Sequence, residues 1–478
     1  MPKRPNILFL FSDQHSPHVT GFGGNAVIDT PNLDRLASEG VVFNNAYCQN
    51  PLCVPSRCSV VTGRYCRNIG IYDNQHILEQ NCVTFPRVLG TTGYRTCLIG
   101  KSHFNGEQFH GYQQRPYGDL YGQAHQPDPG RTPERGAAGL GGVIKAAGPS
   151  GIPLPLTQTE ICVAEASKWL QGHVGLHPEQ PFCLSVNFDK PHFPICPPPH
   201  LYDKYKQRVE LPTVPEGYLE RTVPFARKAI DCTYTGYQHF TPGDHLNTLA
   251  AYYGCVEWVD DAIGRILNVL DYLRLAEDTI VVYSTDHGEM GGEHGTWQKT
   301  LFHEASTRVP LIVRWPHKAT AGCTVATPVG LIDLFPTMCE AAGVETPDSC
   351  DGISLIPSLT GNADLERDAI FSESTVLKHP THAGCMIRTG DWKYAYYLDG
   401  AEELYNLAAD PDEWDNLAGQ AETTDLQADL RRRVVAFWEP DKQMDRFNAT
   451  PSMAREKHFY EFSNQFMLGD GTVVDARP

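Results

Sequence analysis

The sequence predicts an α/β protein: a large mixed, mostly parallel sheet sandwiched by helices, followed by a smaller C-terminal α+β domain. Three observations carry this expectation. Short, fully apolar runs alternate with segments of helical periodicity as far as about residue 365. Asp13, Lys101, His192 and Asp286 each stand at the end of such a run, where parallel sheets hold their ligands. Beyond residue 365 the strands shorten and a single helix follows them.

In chain order, residues 5–12 read as a buried strand that delivers Asp13. Residues 31–40 (PNLDRLASEG) have Pro in the first turn, apolar residues at helical spacing and a terminal Gly. Cys53 opens a further helix to Thr62, residues 84–90 form another, and residues 94–99 a strand ending at Gly100-Lys101-Ser102-His103. Residues 113–155 are rich in Gly, Pro, Gln and Asp and read as a surface excursion, in which Gly139-Leu140-Gly141-Gly142 is loop rather than a phosphate cradle. Helix 157–170 leads to strand 182–188 and then Lys190-Pro191-His192. A long amphipathic helix spans 245–274, a strand spans 279–284 before Asp286-His287-Gly288, and another spans 309–314. Strands at 369–372, 386–388 and 394–397 and a helix over 425–438 make up the second unit. The expected division is therefore 1–365 and 366–478, with the polar, aromatic-bearing tail from 441 read as an arm that packs on a neighbour in a homo-oligomer.

Composition narrows the function classes. With 39 basic against 57 acidic residues, the net charge is −18, which argues against nucleic acid or an anionic membrane as partner. No apolar run is long enough to span a bilayer, and the N-terminal apolar run lacks the form of a signal peptide, so a cytoplasmic location is expected. The 15 cysteines form no C-x-x-C pair and are expected as reduced, mostly buried thiols. Cys48, Cys53, Cys58 and Cys66 crowd together, but at spacings that suit no common zinc knuckle.

Two adjacent pairs, Asp13-Gln14 and Asp286-His287, each follow a strand. Singly, such a pair serves as a cap or turn; together their carboxylate, amide and imidazole groups suit a hard divalent cation. Cys53-Val54-Pro55-Ser56-Arg57 precedes Thr62-Gly63-Arg64. Taken alone, it describes a buried cysteine at a helix start with Pro in the first turn.

Cys53–Arg57 with the T-G-R extension resembles the sulfatase signature C-x-P-S-R. Gly100-Lys101-Ser102-His103 is similar to that family's G-K-x-H, Pro191–Pro194 to its P-H-x-P, and Lys299 follows a D-H-G-E-M-x-G-E-H-G segment. Landmarks extend through Leu331–Thr337 and Glu403–Leu407, so the resemblance covers most of the chain. It implies an alkaline-phosphatase-like fold and hydrolysis of an organic sulfate monoester to sulfate and an alcohol or sugar. A maturation enzyme would convert Cys53 to formylglycine, whose hydrate attacks sulfur through one hydroxyl and expels sulfate through the other. Asp13, Gln14, Asp286 and His287, with residue 53, would hold one divalent ion, calcium foremost, with manganese or magnesium as substitutes. By the same resemblance Arg57 orients the aldehyde hydrate, and Lys101 and Lys299 stabilise charge on the sulfuryl oxygens. His192 protonates the leaving oxygen, His103 assists the second hydroxyl, and Asn74 faces the substrate. The D-Q and D-H pairs depart from the commonest D-D and D-N pattern and resemble the branch of choline sulfatases and phosphonate monoester hydrolases. Phosphonate monoester or phosphodiester cleavage is therefore the alternative activity, with the Lys101–His103 pair favouring sulfate. A non-catalytic binding protein that kept the fold is the second alternative. Trp297 is read either as pocket lining or as core.

Overall fold

The computed structural model describes residues 4–105, 108–118, 141–233, 235–361, 365–375, 383–449, 465–467 and 473–475. An eight-stranded sheet has the spatial order Cys323–Val325, Val41–Phe43, Ile312–Arg314, Thr279–Thr285, Asn6–Asp13, Phe182–Pro191, Arg95–Gly100 and Gln114–Tyr117. The strand Asn6–Asp13 runs parallel to both neighbours, with Ser12 opposite Thr285 and Asp13 opposite Pro191. Arg95–Gly100 is parallel to Phe182–Pro191 in turn. Four carboxyl ends therefore lie side by side at one edge, and Asp13, Lys101, His192 and Asp286 sit on them or just beyond.

The central strands are apolar on both faces because both are covered. From Asn6–Asp13, Ile7, Phe9 and Phe11 face a layer containing Val54, Cys58, Phe85 and Phe335. Leu8 and Leu10 face the opposite layer of Leu33, Leu36, Leu170, Ile263 and Ile266. The long helix Pro242–Tyr272 begins with a reciprocal cap, Thr241 N to Asp244 Oδ2 at 2.9 Å and Asp244 N to Thr241 Oγ1 at 3.2 Å. Its start lies upstream of the expected 245 because Pro242-Gly243 reads as a turn in sequence but here occupies the first turn of the helix.

The expected strand 309–314 is two pieces. Pro310 carries no donor for a ladder; Arg308–Val309 joins a three-stranded sheet with Ala46–Tyr47 and Val329–Gly330, and Ile312–Arg314 joins the main one. The excursion 113–155 contributes the edge strand Gln114–Tyr117 and the short helix Gly141–Lys145, so Gly141 and Gly142 are helical rather than loop; residues 119–140 lie outside the described residues.

A smaller antiparallel sheet follows, ordered Ala369–Thr375, Ala383–Thr389, Trp392–Tyr397, Glu402–Asn406. The helix Thr424–Trp438 covers one face through Leu430, Val434 and Trp438. The other face packs Ile370, Met386 and Tyr397 against Phe225, Phe302 and Ile332. In the tail, the helix Gln443–Ala449 sets Phe447 against His76 and Tyr72 of the same chain, with ring centroids 5.4 and 6.2 Å apart; most of the tail beyond it lies outside the described residues. No helix among the described residues is long and apolar enough to cross a membrane. All 15 cysteines are free thiols.

Candidate active site

Cys53 opens the helix Cys53–Thr62 with Pro55 in the first turn and Gly63, at φ 66°, as its left-handed stop. A Cβ on Gly63 would stand 2.6 Å from Cys350 Sγ, so both backbone angle and space call for glycine. Cys53 is 1% exposed, and its Sγ lies 3.2 Å from His287 Nε2. Burial alone would raise this thiol, but the charge of Lys299, helped by Lys101 and His287, lowers it below the ordinary cysteine range.

Ligand atoms of Asp13, Cys53, Asp286 and His287 lie within 4.8 Å of one another, all four residues buried. Arg57, one turn along the helix, links the two carboxylates: Nη2 reaches Asp13 Oδ2 at 2.8 Å and Nε reaches Asp286 Oδ2 at 2.7 Å. Lys101 Nζ adds a second cation on Asp13 Oδ2 at 2.7 Å. Gly100, just before it, has to be glycine, since a Cβ there would stand 2.0 Å from Asn187 O on the neighbouring strand. Burial pushes the Asp13 carboxyl up, but Lys101, His192 and Arg57 outweigh it and hold it well below the usual carboxylate range. Burial would likewise lower Lys101, yet Asp13 keeps it raised and charged.

His287 directs its Nδ1 at Gly288 O, 3.0 Å away, which leaves Nε2 facing the thiol. Burial lowers its basicity, but Asp286 and Cys53 outweigh burial, so the imidazole titrates above its ordinary range. His192 fixes Nδ1 on Phe193 O at 2.7 Å, while Nε2 stays buried without a hydrogen-bond partner, 3.9 Å from Asp13 Oδ1. Burial first, then Lys299 and Lys101, lower its basicity well below that of a free histidine. His103 is depressed in the same way by burial and Lys101, has an unpartnered buried Nδ1, and sits at φ 51°, a strained setting for a non-glycine residue. Asn74 Oδ1 accepts from Val54 N at 3.0 Å, beside Cys53. Lys299 Nζ donates to Gln14 Oε1.

The structure thus gathers the eleven residues singled out from sequence around one buried point: Asp13, Gln14, Cys53, Arg57, Asn74, Lys101, His103, His192, Asp286, His287 and Lys299. Asp13 Oδ1 is buried with no hydrogen-bond partner among the described residues, and the possible ligand atoms around it are a second carboxylate, one imidazole and the Cys53 sulfur, with the Gln14 amide next to Asp13 in the chain. That set fits a divalent cation.

Two features escaped the sequence reading. Glu289, wholly buried, accepts from Gln14 Nε2 and from the backbone of Gly291 and Gln298; its only signal was its place within the Asp286–Gly295 segment. His294, His303 and Glu413 form a second buried group. Its imidazoles are stacked at 3.7 Å and 4°, so their in-plane lone pairs run parallel instead of converging on an ion. Lys393 already neutralises Glu413 and also reaches Glu304, which marks this group as a strut beneath the second sheet. Trp297 packs in the core, its Nε1 on His245 Nδ1 at 2.9 Å. Cys48, Cys58 and Cys66 form no metal-binding group among the described residues.

The sulfatase family model matches residues 5–344, and the N-sulphoglucosamine sulphohydrolase C-terminal model matches residues 292–439. The choline-sulfatase of Rhizobium meliloti (strain 1021) is 30% identical, with 96% of this chain and 91% of that protein aligned. An N-acetylglucosamine-6-O-sulfatase of Bacteroides thetaiotaomicron is 28% identical over 90% of this chain and 85% of its own length. Among solved structures, a protein in complex with its substrate D-glucosamine-2-N,6-O-disulfate superposes with a TM-score of 0.75 at 26% identity, covering 94% of this chain and all (100%) of that one. The phosphonate monoester hydrolase of Agrobacterium radiobacter shares the fold, with a TM-score of 0.78 at 22% identity over 99% of this chain and 100% of its own. With the family matched over most of its length, the chain belongs to the sulfatases of the alkaline phosphatase superfamily and is a sulfuric ester hydrolase.

Proposed function

We propose that the protein hydrolyses a small organic sulfate monoester at residue 53, after conversion of Cys53 to formylglycine and with one divalent ion, calcium foremost, held by Asp13, Gln14, Asp286 and His287. The observation that carries this reading is the position of the Cys53 thiol, within 4.8 Å of ligand atoms of Asp13, Asp286 and His287. A bound ion would neutralise sulfuryl charge and the aldehyde hydrate would supply the attacking oxygen.

The remaining roles belong to the chain's own side chains. Lys101, at a strand end, and Lys299, on the loop that follows Thr279–Thr285, bind the sulfuryl oxygens, with more effect as negative charge builds up on them. Arg57 holds Asp13 and Asp286 in register and so positions the site. His192 carries its available nitrogen, Nε2, toward the site and passes a proton to the leaving oxygen; the incoming sulfuryl charge works against the burial and the two lysines that otherwise disfavour protonation. His103 offers Nδ1 for the proton released as sulfate departs. Asn74, tied to Val54, borders the substrate beside residue 53. Cys53 is so deeply buried that its maturation enzyme has to meet the Cys53–Arg57 segment before folding closes over it.

The curated relatives act on choline sulfate and on a sulfated amino sugar by name, so the proposed alcohol is a small choline-like or sugar alcohol. The phosphonate hydrolase shares only the fold, and the Lys101–His103 pair favours sulfate. Rates on matched aryl sulfate and aryl phosphonate esters test the choice. Faster sulfate cleavage is expected; a strong preference for the phosphonate would reverse the assignment.

A further inference from the structure

We propose that Glu289 is a positioning residue that, with Lys299, fixes the orientation of the Gln14 amide and so keeps its oxygen available to the ion. The inference rests on the proposed ion site above and adds a residue outside its ligand set.

An amide side chain can present oxygen or NH2 in the same space, and only its partners decide which. Gln14 has little other freedom. Its backbone sits at φ 64°, with N donating to Asp286 Oδ1 at 3.1 Å and O accepting from Tyr252 Oη at 2.6 Å. Its Nε2 donates to Glu289 Oε2, and its Oε1 accepts from Lys299 Nζ. A carboxylate accepts only and an ammonium donates only, so this pair of neighbours permits one orientation and forbids the flipped one. The oxygen end is thereby turned toward Lys299, and oxygen is the end of the amide that a hard cation would take as ligand.

Glu289 is itself immobilised. Its Oε1 accepts from Gly291 N at 2.9 Å and Gln298 N at 2.6 Å, and Met290 N donates to Gln298 O at 2.7 Å. The loop between His287 and Lys299 is folded around this one carboxylate. Glu289 therefore serves two ends at once, as a brace for the loop and as the group that sets the polarity of Gln14.

Two substitutions separate these roles. In Glu289→Gln the new amide oxygen can keep both backbone donors, so the loop survives, but its NH2 turns toward Gln14. Gln14 Nε2 then meets a donor while Lys299 still requires Oε1 on the other side, so no amide orientation satisfies both neighbours and the oxygen is no longer held in place for a cation. Adding Gln14→Glu restores an oxygen at both ends of residue 14. In the wild-type background the same Gln14→Glu change sets two carboxylates against each other.

The test is calorimetric titration of Ca2+, then Mn2+, into metal-free wild type, Q14E, E289Q and Q14E/E289Q, with thermal unfolding of each. E289Q is expected to lose about 10- to 100-fold in ion affinity at a nearly unchanged melting temperature. Q14E should improve affinity at least about tenfold more in the E289Q background than in wild type, a coupling that a passive brace would not give. E289Q binding as tightly as wild type, or additive effects, would overturn the role of Glu289 while leaving the ion site standing. Wild type that takes up neither ion would overturn the site and this inference with it. If E289Q fails to fold but the double variant folds, the coupling is supported; failure of both overturns it.

Discussion

Arg57 Nη2 donates to Asp13 Oδ2 at 2.8 Å, and the same guanidinium holds Asp286 through Nε at 2.7 Å. One cation therefore ties together carboxylates that lie far apart in the chain, at a place almost closed to water. Arg57→Ala leaves Asp286 with the His287 imidazole, 3.6 Å away, in place of a guanidinium, and Asp13 with Lys101 as its remaining ammonium or guanidinium partner. The metal-free protein should lose about 3–5 kcal/mol, the usual cost of breaking a buried pair. Calcium should restore part of that loss by replacing the missing charge. Urea unfolding with and without calcium measures both effects; an unchanged stability without the ion would contradict the bridging role.

His192 should matter in proportion to the basicity of the leaving group. Its Nδ1 is committed to Phe193 O, so only Nε2 can deliver a proton. For His192→Ala, the loss in kcat/KM should reach about 10²- to 10⁴-fold on alkyl sulfates, which need that proton. On nitrophenyl sulfate the loss should be much smaller. A rate series over leaving groups decides it, and equal losses throughout would remove the general-acid role.

Lys393 should govern stability in a pH-dependent way. Its Nζ donates to Phe302 O at 2.7 Å and pairs with Glu304 and Glu413 between the two sheets. Burial pushes both carboxyls up, but Lys393 outweighs it, and both titrate below their ordinary value of 4.5. Depressed carboxyls contribute stability above that ordinary value and lose it as pH falls through their folded values. Lys393→Met should cost about 3–5 kcal/mol near neutrality. The deficit should shrink on acidification, because the stranded carboxyls then protonate and become neutral. Melting curves from pH 5 to pH 8 (about three units) test this; a deficit that grows toward pH 5 would show the sign to be wrong.

The parallel sheet was legible because its central strands are apolar on both faces, as at Ile7–Phe11, and each ends in a polar residue. That pattern placed Asp13, Lys101, His192 and Asp286 at strand ends from the sequence alone; that the four strands are neighbours is set by the sheet order. Local signals failed where tertiary context decides. Pro310 splits one apolar run between two sheets; the early start of the long helix is a different case, since the Thr241–Asp244 cap that brackets Pro242-Gly243 is local and escaped the sequence reading. Three-residue pieces such as Val41–Phe43 and Cys323–Val325 are too short for periodicity to register. In the site, charged and metal-suited residue types stand out in sequence, whereas a buried carboxylate such as Glu289 looks like any surface acid until its partners are known.

The most direct test follows conversion and turnover in the same samples. Protein made with graded amounts of maturation enzyme is assayed for the Cys53 peptide, which loses about 18 mass units on conversion to the aldehyde, and for sulfate release from an aryl sulfate. Turnover should rise in proportion to the converted fraction, vanish in Cys53→Ala, and fall on chelation of divalent ions. Full sulfate release from protein whose Cys53 is still a thiol would contradict the proposed chemistry.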